Sequence, residues 1–66
     1  MEYIVANENK FGYIVVQGSL GASMVVMAVD YMAGGDPLLI GHRTYVPNDQ
    51  IREATQSDKD KFNVHI

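Results

Sequence analysis

The residues of this chain that could do chemistry are few and far apart. Gly18-Ser19-Leu20-Gly21-Ala22-Ser23 follows a segment of strand formers, a setting in which backbone N–H groups can cradle a phosphate. It lacks the Gly-Lys-Ser/Thr ending of a phosphate loop and the three-glycine spacing of a dinucleotide fold, so its plain reading is a flexible connection. If an anion such as a nucleotide binds, Ser19 and Ser23 are the expected ligand-binding residues of this loop. Arg43 would supply the charge and Tyr45 a stacking surface.

Nucleophilic catalysis needs a base and an orienting acid around a hydroxyl, and none of Ser19, Ser23, Thr44, Thr55 or Ser57 stands in a nucleophile motif. His42 and His65 have no ligand partners at a metal-binding spacing; Asp30, Asp36 and Asp49 are the only nearby candidates. Paired carboxylates would need a cleft to shift their pKa values, and a chain this short has little room for one. No catalytic residue, metal site or cofactor is expected, and the protein reads as a non-enzyme.

Binding is the alternative, and it directs attention to Ala22 through Met32. Asp30 is the odd residue there, a carboxylate in an apolar run, read as solvent-facing on a strand or as a polar contact to a ligand or second subunit. Tyr3, Tyr13, Tyr31 and Tyr45 suit places where one end of the side chain is buried and the other wet. Met24, Met27 and Met32 adapt to irregular apolar surfaces, partner interfaces included. Met24, Val26, Met27, Tyr31 and Met32 are therefore the expected interface of a homo-oligomer, most simply a dimer, with Val26 facing outward.

The elements that must position these residues follow from pattern. Tyr3-Ile4-Val5-Ala6 and Phe11 to Gln17 are rich in strand formers and read as a hairpin across Asn7-Glu8-Asn9-Lys10, whose asparagines suit positive φ. Ser23 to Met32 admits two readings. Met24, Met27, Ala28 and Tyr31 have helical spacing, whereas Val25, Val26 and Val29 are β-branched and Gly18 and Gly21 disfavour a helix. The strand is preferred, with Val25, Met27, Val29 and Tyr31 on one face and Met24, Val26, Ala28, Asp30 and Met32 on the other. Ala33-Gly34-Gly35-Asp36-Pro37 is a turn, Leu38 to Val46 a second strand, and Ile51 and Ala54 mark a short helix capped by Asn48 or Asp49. Ser57 to Asp60 could cap a further turn anchored by Phe62.

Thr44-Tyr45-Val46-Pro47-Asn48 resembles the strand-to-short-helix junction of SH3 domains, in which an aromatic, an aliphatic, a proline and a polar residue follow in that order. The resemblance implies small-barrel geometry. It carries no ligand residues over, because the acidic aromatic motif and paired tryptophans of those domains have no counterpart in this chain. The expected architecture is a single domain over 1–66, α+β and mainly β, either a small SH3-like barrel or a two-hairpin antiparallel sheet with a short C-terminal helix.

Sixty-six residues bury only about 60% of the unfolded surface, so such a domain is marginally stable. With no cysteine it has neither disulfide nor thiolate metal site, which fits a reducing, cytoplasmic setting. The start Met1-Glu2-Tyr3 is not that of a signal peptide, and Asp30 interrupts the longest apolar run well short of a bilayer span. A net charge of −3 with five basic residues argues against nucleic-acid binding through phosphates. Phe11 to Val46 carries only Asp30, Asp36 and Arg43 as formal charges, leaving more apolar surface than so small a body can hide. The expected function is self-association with capture of a protein partner, a type that fits a small virus- or mobile-element-encoded inhibitor or accessory factor. The alternative is an oligomeric protein binding a small anion.

Overall fold

The computed structural model describes residues 2–66. Five strands, β1 (Tyr3–Ala6), β2 (Lys10–Gln17), β3 (Gly21–Val29), β4 (Arg43–Pro47) and β5 (Ile51–Glu53), form one antiparallel sheet in the order β4-β3-β2-β1-β5. A short helix, α1 (Gln56–Lys61), follows. The β1–β2 turn places Asn7 and Glu8 at φ 55°, closed by Asn9 N–H donating to Ala6 O at 3.2 Å. Positive φ at both central residues matches the right-handed twist of a hairpin.

The edge strands β4 and β5 are joined by the single 3-10 turn Asn48–Gln50. In a flat sheet they would lie four strand spacings apart, roughly 19 Å. The four Cα steps from Pro47 to Ile51 reach about 14 Å at most, so the sheet must curl. Asn7 N–H donates to Gln50 O at 2.8 Å and Asn48 N–H to Leu20 O at 3.0 Å, pinning this corner to both hairpin turns. β4 and β5 do not pair, so the sheet stays open and the closed-barrel alternative is corrected. The SH3-like junction at Thr44 to Asn48 is present as strand followed by 3-10 turn.

Inside the curl, Ile4, Ala6, Met24, Val26 and Val46 form one core, with Ile14, Val29, Leu39 and Ile51 packed against it. The outer face carries a second core of Val5, Phe11 and Phe62, flanked by Tyr3, Met27, Ala28, Ala54 and Val64. Phe11 stacks on Tyr3 at 5.9 Å and meets Phe62 at 5.7 Å. The helix that presents Phe62 is well terminated. Thr55 and Asp58 form a reciprocal capping box, and Asn63 at φ 57° closes the other end through Val64 N–H to Lys59 O at 2.9 Å.

Four expectations are corrected here. Ser23 to Met32 is strand only to Val29, and β3 is bulged where Phe11 pairs with Ala28 and Gly12 with Val26. The extra residue, Met27, shifts the alternation, so Ala28 moves to the outer face and Val29 to the inner one. Val26 does not face outward: it and Met24 are fully buried. Leu38 to Gly41 is not strand, because Asp36 and Pro37 begin a 3-10 turn there and β4 starts only at Arg43. Ile51 lies in β5 beside Ala6, and the helix starts after Thr55 instead of Asn48 or Asp49. The edge of β1 needed a partner, and that pairing outweighed the helical spacing of Ile51 and Ala54.

Candidate functional site

Several strongly exposed apolar side chains stand on the connection between β3 and β4, while Leu20, 81% exposed, lies apart on the β2–β3 turn. Met32 is 92% exposed, Leu38 82%, Tyr31 73% and Ile40 46%. Their backbone is nonetheless tightly held. Asp30 caps the 3-10 turn Tyr31–Ala33, its Oδ1 accepting from Ala33 N–H at 3.3 Å, and Gly34 ends the turn at φ 90°. Asp36 caps the next turn, Pro37–Leu39, accepting from Leu38 N–H at 2.9 Å.

The base of this connection is fastened to the sheet at three points. Asn9, buried, donates through Nδ2 to Ala33 O at 3.3 Å, and its backbone carbonyl accepts from Asp30 N–H at 2.9 Å. Gly41 N–H donates to Val26 O at 2.7 Å, and within the connection itself Gly35 N–H donates to Asp30 O at 2.8 Å. Leu39 packs against the inner core. Asp30 is thus a cap, and it also lies 3.6 Å from Lys61 Nζ. The two turns present Tyr31, Met32 and Leu38 outward from a braced frame.

The expected interface residues divide. Tyr31 and Met32 stand on the exposed loop, Met27 is half-buried in the outer core, and Met24 and Val26 belong to the inner core. Leu38 and Ile40 were missed as surface residues because their alternation with Thr44 and Val46 imitates a strand. Asp36-Pro37, an N-cap followed by proline, was the signal for a turn.

Of the expected ligand residues, Ser23, Arg43 and Tyr45 do come together. Ser23 pairs with Tyr45 and Val25 with Arg43 across β3 and β4, all on the outer face. Tyr45 lies over Gly21, where its ring occupies the space a Cβ would need. Ser19 sits apart, its carbonyl accepting from Asn48 Nδ2 at 3.2 Å. Two hollows lie elsewhere. One of about 720 Å³ is lined by Glu2, Tyr3, Glu53, Ala54 and Lys59, and one of about 320 Å³ by Asn7, Glu8, Asp49, Gln50, Ile51 and Arg52. Both are wide open and include carboxylates, a poor setting for an anion.

Arg52, at the second hollow, is committed to structure. It donates to Glu8 Oε2 at 2.6 Å and Oε1 at 2.9 Å, and to Asp58 Oδ2 at 2.7 Å and Oδ1 at 2.8 Å. The guanidinium holds the Asp58 carboxyl well below the usual range, assisted by hydrogen bonds from Thr55, and lowers Glu8 as well. Among the described residues no group of three or more acidic, His or Cys side chains is placed to hold a metal ion, and no helix is long and apolar enough to cross a membrane.

Comparison with protein-family models, with curated protein sequences and with solved structures found no match. The functional reading therefore rests on geometry.

Proposed function

We propose that the protein acts by binding, not by catalysis, and that it captures a protein partner through the loop carrying Tyr31, Met32, Leu38 and Ile40. One observation carries this reading: large apolar side chains are left in water on a backbone that the fold spends several hydrogen bonds to hold still. Ordering a flexible loop on binding costs free energy, and a loop already fixed avoids that cost. An aromatic and flexible aliphatic side chains on one projection are the usual composition of an interface core. A small inhibitor or accessory factor would act in this way, by occupying a surface on its target.

Affinity capture from cells of origin, comparing the parent chain with Met32→Ser/Leu38→Ser, tests the reading. A partner retained by the parent and lost by an equally folded double variant is expected. Identical retention by both proteins would overturn it.

The small-anion alternative is the weaker reading. Ser23, Arg43 and Tyr45 share a face, but neither of the two hollows is lined by any of them.

A further inference from the structure

We infer that two copies of this chain pair antiparallel through the free edge of β4, across a twofold axis at Tyr45. This surface is separate from the partner-binding loop. Among the described residues β4 ends the sheet and pairs only with β3, and no strand lies on its other side.

Which groups point outward follows from the ladder. Val26 N–H donates to His42 O at 3.1 Å and Asn48 N–H to Leu20 O at 3.0 Å. Both bonds fall in the β3–β4 register, and hydrogen-bonded pairs alternate along an antiparallel ladder. Thr44 and Val46 therefore bond to β3, while Arg43, Tyr45 and Pro47 direct their backbone polar groups away from it. Proline is tolerated at 47 for this reason: the N–H it lacks would have faced outward.

That edge complements itself. With Tyr45 opposite its own copy, each Tyr45 N–H meets the other's carbonyl, and each Arg43 N–H meets the Pro47 carbonyl of the second copy. The missing proline N–H falls at the end of the ladder, leaving four inter-chain bonds. Charge agrees with this direction. Arg43 and Asp49 are exposed, and neither is in an ion pair among the described residues. Antiparallel pairing brings the Arg43 end of one strand to the Pro47–Asp49 end of the other, so the opposite charges approach twice. A parallel pairing would set like charges together. The bare outer faces then join, with the two Tyr45 rings, each 62% exposed alone, as cross-strand neighbours.

A chain of this length is accessible by total synthesis, so the edge can be tested without changing any side chain. The parent protein and a form N-methylated at the Tyr45 backbone amide are compared by sedimentation velocity from micromolar to millimolar concentration. The methyl replaces an outward N–H and leaves the β3 ladder intact. Amide exchange on the parent is measured in parallel. The expected result is a concentration-dependent dimer of the parent, at least tenfold weaker in the N-methyl form, with slowed exchange at Arg43 and Tyr45 N–H as the dimer fills. A parent that remains a 7.3 kDa monomer throughout, or an N-methyl form that dimerises equally well, would overturn the inference. Met32→Ser/Leu38→Ser separates the two surfaces: it should retain this dimer while losing the partner, and loss of the dimer in that variant would also count against the β4 edge.

Discussion

Asp58 accepts two hydrogen bonds from Arg52, at 2.7 and 2.8 Å, while the same Asp58 closes the capping box of α1 through Thr55 N–H at 2.8 Å. One nearly buried carboxylate thereby joins the last strand to the helix that carries Phe62 onto the outer core. Because Arg52 also grips Glu8, the β1–β2 turn, β5 and α1 meet at a single guanidinium.

Replacing Asp58 by Ala should therefore cost more than an exposed substitution. The variant keeps the bond from the residue 58 N–H to Thr55 Oγ1 but loses the carboxylate that accepts from Thr55 N–H, and a hydrogen bond to a charged group is worth about 1.5 to 3 kcal/mol. Arg52 retains Glu8 and is partly exposed, so the lost ion pair adds little beyond this. For a domain of this size about 1.5 kcal/mol corresponds to a fall in Tm of roughly 10 °C. Thermal unfolding followed by circular dichroism measures it, and an unchanged Tm would contradict the role given to Asp58.

Acid should act through the same residue. The folded-state pKa of Asp58 lies below its unfolded value, so its contribution is fully present above the unfolded carboxylate range, near pH 4, and declines as pH falls further. Tm should thus drop between pH 5 and pH 2.5, and drop less in Asp58→Asn, which has no carboxylate to protonate. Equal drops in the two proteins would place the acid sensitivity elsewhere.

The inner and outer cores were partly legible in the sequence because strand formers mark β1, β2 and β3, and the Gly34-Gly35 pair marks a turn after Val29. Three physical features were not. The bulge at Met27 leaves no trace in composition, yet it decides that Met24 and Val26 are core and Ala28 is not. β5 is three residues long, and only the need of β1 for a second neighbour makes Ile51–Glu53 a strand. Leu38 and Ile40 continue the two-residue spacing of Thr44 and Val46 like a strand, and the Asp36-Pro37 cap overrides that spacing. At the candidate site, Tyr31 and Met32 were singled out by residue type and both are exposed, whereas the exposure of Leu38 and Ile40 was hidden by the strand-like pattern.

Gly34 and Gly35 should respond differently to alanine. A Cβ on Gly35 would meet Asn9 O at 2.6 Å, Asp30 O at 2.8 Å and Val29 Cβ at 2.9 Å, three groups that cannot retreat without moving the sheet. Overpacking of this kind costs about 1 to 3 kcal/mol. A Cβ on Gly34 would meet only Asn9 Nδ2, at an ordinary contact distance of 3.8 Å, but φ is 90°, so its alanine variant bears only the left-handed penalty of about 1 to 2 kcal/mol. Urea unfolding of Gly34→Ala and Gly35→Ala measures both. Only Gly35→Ala is expected also to quicken amide exchange at Asp30, whose N–H bonds to Asn9 O.

Val26→Glu should abolish folding, and the reason changes what its phenotype would mean. Val26 is wholly inaccessible, on the inner face among Ile4, Met24 and Val46, with no basic side chain in that core. An ionised carboxylate there has neither water nor partner, and a chain this short has little stability in reserve. Val16, 55% exposed on the outer face, is the matched control. Val16→Glu should stay within about 0.5 kcal/mol of the parent, as surface substitutions do. Dispersed amide resonances in Val16→Glu and collapsed ones in Val26→Glu are the expected spectra at neutral pH. A folded Val26→Glu would mean that the sheet does not curl over this residue. If the spectrum collapses, any assembly lost with Val26→Glu reports an unfolded chain, and the contact between copies must be sought at an exposed element such as the edge of β4.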